Sequence, residues 1–219
     1  MGFFSKKTCT VCGGKIKKDF KELSDGLLCK KCLKSVSPWF PFEPETTVEQ
    51  VKNHIALKSQ KESEQEGFSR DCQYGEGLQK LYIDKAQRKF MITDKLGHNP
   101  EVYSLDAIQS CRLNKREGLM NSERELKTSL RRDYLYSFGV AMTMDDPFVK
   151  EILFEYRAKP VMTGTTRLTD ESFEDALGKS DSTMGRINNF LGGLSQKVID
   201  TIESNIAEGN AIIADLTES

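Results

Sequence analysis

The stretch Cys9-Thr-Val-Cys12-Gly-Gly-Lys-Ile-Lys-Lys-Asp-Phe-Lys-Glu-Leu-Ser-Asp-Gly-Leu-Leu-Cys29-Lys-Lys-Cys32 carries four cysteines as two C-x2-C pairs with sixteen residues between them. A C-x2-C pair sets two sulfurs on one side of a tight turn, where backbone N–H groups can stabilise thiolates. Two such turns can close tetrahedrally on one cation. Gly13-Gly14 gives the chain freedom just beyond the first pair, and Ser24-Asp25-Gly26 is a turn signal ahead of the second. Between the pairs lie only Ile16, Phe20, Leu23, Leu27 and Leu28, too few apolar residues for a core. A segment this small requires a metal or disulfides to fold.

Other chemistries fit the four thiols less well. Disulfides suit a secreted chain, and Met1-Gly-Phe-Phe-Ser-Lys-Lys lacks the apolar run of a signal peptide. A thioredoxin-like pair sits in a βαβ context and does not come as two matched pairs. Catalytic zinc normally keeps an open or non-cysteine position. Four thiolates also hold iron, and spacing alone does not separate iron from zinc. The expectation is one structural Zn²⁺ on Cys9, Cys12, Cys29 and Cys32, with no catalytic residue and no other cofactor.

Charge is unevenly distributed. Residues 1–34 hold nine lysines against Asp19, Glu22 and Asp25, a formal +6, whereas residues 168–219 carry −7 within a chain of net −1. The lysines offset a Zn(Cys)₄ centre of charge about −2 and keep the module soluble. They also define an alternative, nucleic-acid binding by the ribbon, which the sparse aromatics (Phe3, Phe4, Phe20) and absent arginines disfavour. With 37% hydrophobic and 30% charged residues and no apolar run of membrane-spanning length, the chain reads as a cytoplasmic globular protein.

Beyond the cysteines, the pattern predicts an α+β architecture: a zinc ribbon, an antiparallel β-barrel-like domain, and a C-terminal amphipathic helix. The ribbon occupies 1–36. Ser37-Pro-Trp-Phe-Pro-Phe42 opens a linker at 37–67 whose aromatics pack the ribbon onto the rest of the chain. That segment includes a polar helix, capped by Thr46 or Thr47, from about Val48, with Val51, Ile55 and Leu57 on one side. On it His54, lacking evident partners, reads as a surface residue.

Over 68–158 the period changes to two. Leu78–Ile83 and Arg88–Thr93 flank a turn at Asp84–Gln87. Glu101–Leu105 and Ile108–Leu113 come next, and Tyr134, Tyr136, Phe138, Val140, Met142 and Met144 line one strand face. Asp145-Asp146-Pro147 is a turn before a last strand at Phe148–Tyr156. The charged stretch 114–132 reads as an exposed loop and 159–182 as an acidic one. Ile187, Phe190, Leu191, Leu194, Val198, Ile202 and Ile206 then mark a helix over 183–214, in which Gly192-Gly193 favours a kink or break. Its expected role is to cover one end of the β-domain, with a dimer seam as the alternative.

The block Cys9–Gly13 and Leu23–Cys32, followed by Ser-Pro-Trp-Phe, resembles an uncharacterised zinc-ribbon family, a domain of unknown function found mainly in Gram-positive bacteria and their mobile elements. The resemblance implies a pleckstrin-homology-like (PH-like) β-domain behind the ribbon, zinc, and the cytoplasm. It implies no activity.

Function is read accordingly as that of an adaptor whose partner is another protein. The chain has two histidines, His54 and His98, no phosphate-cradling loop (Gly75-Glu-Gly77 is too short), no nucleophile elbow and no HExxH. An enzymatic reading rests only on Cys72 or Cys111 with His98. Acidic-lipid binding by the PH-like domain rests on Lys80, Lys85, Arg88 and Lys89.

Overall fold

A computed structural model describes residues 7–16, 18–62, 66–119, 131–166 and 196–218. Phe3, Phe4, Lys17 and the apolar residues of 187–194 lie outside these ranges, as does the Gly192-Gly193 pair.

The ribbon is built on a short antiparallel hairpin, β1 (Phe20–Leu23) and β2 (Gly26–Cys29), whose turn is the Ser24-Asp25 signal. Helix α1 (Lys30–Lys34) follows directly. The ribbon's hydrophobic core comprises Cys9, Leu28, Cys32, Val36, Phe40 and Val51. Two of these, Phe40 and Val51, come from beyond the expected ribbon of 1–36. Val51 lies on α2 (Val48–Glu62), which starts in a capping box: Thr47 Oγ1 accepts from the Gln50 N–H at 3.2 Å, and Gln50 Oε1 accepts from the Thr47 N–H at 2.8 Å. Asp25 in the hairpin turn takes a further orphan donor, the Val48 N–H, at 2.7 Å. At Gly26 a Cβ would lie 2.7 Å from Val48 Cγ2, so only glycine lets α2 come this close to the hairpin.

The second core lies between two antiparallel four-stranded sheets. The first is a meander, β3 (Cys72–Tyr74), β4 (Leu81–Asp84), β5 (Lys89–Ile92) and β6 (Glu101–Ser104). A 3-10 turn at Leu105–Ala107, capped by Ser104, carries the chain into the second sheet. There β7 (Ile108–Leu119) pairs with β8 (Arg131–Met144) along one edge. On the other edge of β8, β9 (Glu151–Phe154) and β10 (Val161–Thr166) lie end to end, registering Val140 with Phe154 and Tyr136 with Val161. The alternating residues Tyr134 to Met144 all point into the core, as the period of two requires.

Helix α3 (Gln196–Glu218) covers this core, burying Ile199, Ile202, Ile212 and Leu216. It packs within its own chain. The Tyr156 hydroxyl donates to the Asn205 carbonyl at 2.7 Å, and Lys85 Nζ meets Asp215 at 2.9 Å. Close approach depends on Gly209, where a Cβ would lie 2.6 Å from the Tyr156 hydroxyl and collide with Leu113.

Several expectations change. The β-domain is not a closed barrel: no strand of β3–β6 pairs with one of β7–β10 among the described residues, because the 3-10 corner turns the chain onto a separate sheet. Residues 114–119 and 131–132 are not loop but the outer parts of β7 and β8. In β7 the charged side chains of Arg116 and Glu117 are exposed on the strand, which sequence polarity alone does not separate from loop. Residues 120–130 lie outside the described residues. Within 159–182, 161–166 is strand β10, stabilised by pairing with distant β8, and 167–182 lies outside the description. The final helix is described from Gln196 and runs to Glu218, past the expected 214.

The two cores meet across α2. His54, expected at the surface, is buried. Its Nε2 accepts the Ser37 backbone N–H at 3.0 Å, and its ring lies 4.9 Å from that of Phe40 and 5.4 Å from that of Phe148. Burial holds its imidazole below the ordinary histidine value, so it stays neutral. One turn on, Lys58 Nζ pairs with Glu101 Oε1 at 2.7 Å, with only 12% and 8% of the two side chains exposed. The other Glu101 oxygen accepts from the Tyr103 hydroxyl at 2.6 Å, and Lys61 pairs with Asp146 at 2.8 Å. Trp39 packs against the β-domain core while Phe40 enters the ribbon core, so the Ser37-Pro-Trp-Phe stretch stitches the two together.

Two substitutions test this packing. Gly209→Leu should lower stability by about 1–3 kcal/mol through overpacking and shift α3 off the sheet, read from thermal melting and near-UV circular dichroism. Lys58→Ala should cost about 3–5 kcal/mol in urea unfolding, because it strands Glu101 in a buried position. A loss under about 0.5 kcal/mol is what an exposed ion pair would give instead.

Candidate metal centre

The hairpin and α1 bring Cys9, Cys12, Cys29 and Cys32 to one point. Their Sγ atoms all lie within 4.8 Å of one another, with Cys9–Cys32 at 3.9 Å and Cys12–Cys29 at 3.8 Å. A tetrahedral cation with metal–sulfur bonds of about 2.3 Å requires sulfur–sulfur edges of about 3.8 Å. The thiols therefore fit a four-coordinate metal ion, and no comparable cluster of His, Cys, Asp or Glu occurs elsewhere among the described residues.

Local backbone accounts for this convergence. The Gly13 N–H donates to the Cys9 carbonyl and the Cys9 N–H to the Gly14 carbonyl, both at 2.8 Å, folding the first knuckle back on itself. Gly13 sits at φ +71°, a conformation that favours glycine. Thr10 then docks this knuckle on β2: its N–H donates to the Leu27 carbonyl at 2.9 Å, and its hydroxyl accepts the Leu27 N–H at 3.0 Å. Cys29 sits at the N-terminal boundary of α1, and its N–H donates to Cys9 Sγ at 3.3 Å, so one knuckle stabilises a thiolate of the other.

The metal-free thiols are electrostatically unequal. Burial pushes the Cys9 thiol up, but N–H groups of Cys29, Cys12 and Val11 outweigh it and bring the thiol down to about 6. Burial, together with hydrogen bonds to the other thiols, pushes Cys32 well above the ordinary thiol range. Ionising one sulfur opposes ionising its neighbours, and a divalent cation removes that opposition. Cys9 and Cys32 are buried, whereas Cys12 is exposed, so the cluster sits at the surface of the ribbon with one ligand toward solvent.

Around it, Lys7, Lys15, Lys18, Lys21, Lys31 and Lys34 are exposed, as is Lys30, which pairs with Asp19 at 3.0 Å. Lys7 lies over the Phe20 ring at 4.1 Å and Lys21 over Phe42 at 5.3 Å. The ribbon thus presents a basic surface.

The other residues singled out from the sequence are not gathered into a site. No hydrogen bond joins Cys72 or Cys111 to His98 among the described residues. His98 Nδ1 contacts the Leu96 carbonyl, Cys72 neighbours Asp215 and Lys85, and burial raises the Cys111 thiol to about 11. Of the lysine and arginine set on the first β-hairpin, Lys80 is held by the Gly75 carbonyl, Lys85 by Asp215 and Arg88 by Asp106. Asp146 is a turn residue as expected, accepting the N–H groups of Phe148 and Val149, but it is also the partner of Lys61. The void beside it, lined by His54, Lys58, Glu101 and Tyr103, is about 20 Å³, room for about one water molecule. The roles of Thr10, Asp25 and His54 escaped the sequence reading, which took Asp25 only as a turn residue and His54 as a surface one. Each acts through a backbone group of a distant residue, which leaves no spacing signature.

Residues 8–54 match the family described as Domain of unknown function (DUF4428). The matched segment holds the four cysteines, Thr10, Asp25 and the capping box of α2, and ends on His54. No curated protein and no solved structure matches the chain. No helix among the described residues is long and apolar enough to cross a membrane.

Thiolate ligation has a pH signature. Zn²⁺ affinity, measured by competition with a chromophoric chelator, should fall steeply between about pH 7.5 and about pH 5.5 as protons compete for the sulfurs. Affinity that stays level over that range would rule out thiolate ligands.

Proposed function

We propose that this protein is a zinc-binding, non-catalytic interaction protein of the cytoplasm, whose N-terminal ribbon is folded by one structural Zn²⁺ on Cys9, Cys12, Cys29 and Cys32 and whose partner is another protein. The carrying observation is the four-sulfur cluster, two of its edges at 3.8 and 3.9 Å and all within 4.8 Å, a ligand set that leaves no coordination position for a substrate. Zinc bound there contributes on the order of 10–16 kcal/mol of apparent binding energy to folding. The two-sheet domain closed by a helix supports the PH-like reading through its strand order and the place of its last helix.

The exposed ribbon lysines favour an acidic partner surface, since cations this close together attract acidic groups within a Debye length of about 10 Å. The same lysines support nucleic-acid binding as the second reading. Lipid binding through the first β-hairpin draws less support, because Lys80, Lys85 and Arg88 are already held within the chain.

Affinity capture from nuclease-treated native lysate, with wild-type bait beside Cys9→Ser/Cys12→Ser bait, separates these readings. The expected outcome is a protein retained only by the zinc-intact bait. Retention by both baits would move the contact to the β-domain or α3. Retention by neither, together with RNA or DNA binding that weakens steeply with salt, would replace the adaptor reading with the nucleic-acid one.

A further inference from the structure

We infer that metal occupancy of the ribbon controls the order of the turn between β8 and β9, with α2 and His54 as the connection. This inference rests on the zinc-ribbon reading above and extends it from a folding role to a regulatory one.

Helix α2 is anchored at both ends to different bodies. At its start, the Val48 N–H is capped by Asp25 in the metal-bearing hairpin, and Val48 packs on Gly26. Its last turns meet the β-domain through Lys58–Glu101 and Lys61–Asp146. Fifteen residues at about 1.5 Å each make a strut of about 22 Å between the two. A second path leaves the ligand Cys32 directly. Its carbonyl accepts the Ser35 N–H at 3.0 Å, and two residues on the Ser37 N–H donates to His54. The His54 ring then packs edge-on against Phe148, next to Asp146, which organises the turn by accepting two of its N–H groups.

The ribbon's own apolar residues are too few to hold this geometry without the metal. Losing the metal therefore loosens Asp25 and Ser37 together, and with them the support of the α2 side chains that reach the turn, Lys61 on Asp146 and the His54 ring on Phe148. The turn and the linker share a groove of about 240 Å³, with Phe40 and Pro41 on one wall and Pro147 and Phe148 on the other. Metal state therefore reaches a recess to which both bodies contribute. Coupling of this kind needs two discrete states biased by one ligand, and the metal-bound and metal-free ribbon supply them.

Hydrogen exchange on the full chain, with zinc content measured beforehand, tests the inference. Chelation should raise exchange at the Phe148 and Val149 amides by about tenfold or more, while Ile83 and Phe90 in the far sheet keep their protection. Zinc-loaded His54→Leu should show the same local loss with its zinc content unchanged, since it removes the acceptor for Ser37 but no ligand. Zinc uptake followed by unaltered exchange at 148–149 on chelation would overturn the coupling and leave the metal centre standing. Equal loss of protection at Ile83 and Phe90 would also overturn it, because that is global unfolding. A chain that takes up no zinc would overturn both the metal centre and the coupling.

Discussion

The structure depends on a shared helix. Neither the ribbon's six-residue core nor the capped start of α2 would hold alone. Isolated helices of this length are marginal in water, and a ribbon of some thirty residues buries too little apolar surface. Each supplies what the other lacks. The hairpin turn gives α2 its cap through Asp25, and α2 gives the ribbon Val51 for its core. The same helix then inserts two lysines between buried carboxylates of the β-domain, a polar seam that fixes one relative arrangement by geometry rather than by contact area. Buried ion pairs are poor sources of net stability but demanding about register.

The family match running to His54 follows the physical unit better than the cysteines do. A ribbon cut at residue 36 would omit Phe40 and Val51 from its own core and leave Ser37 without its imidazole acceptor. The aromatic linker is accordingly a point of divergence, where adjacent residues Trp39 and Phe40 commit to different cores.

Much of this was legible from local pattern. The cysteine spacing located the cluster, the alternation from Tyr134 to Met144 identified a core strand, and Asp84–Gln87 marked a hairpin turn that the structure contains. The features that escaped are non-local. β10 carries no clean alternation and is strand only because β8 offers it an edge, and the outer part of β7 is charged because it is exposed, not because it is loop. His54 looked solitary because its partner is a backbone N–H seventeen residues away, and main-chain donors are invisible in a sequence of side chains. The barrel failed to close at a three-residue corner, Leu105–Ala107, a detail that periodicity does not resolve.

The long strand β7 also bears on self-association. Among the described residues it pairs only with β8, leaving twelve residues along an outer edge. Such an edge is a template for strands from other chains, the usual route to sheet-to-sheet aggregation. Here a register shift between Ile108 and Ser110 breaks the regular ladder at one end, and Arg112 and Arg116 stand exposed farther along it. Arg112 is paired with Glu151 and Arg116 with Glu155, so a strand from a second copy would have to accommodate these charged side chains along the edge. Arg116, one of the charges that made 114–132 read as a loop, thus stands on a strand edge rather than in a loop.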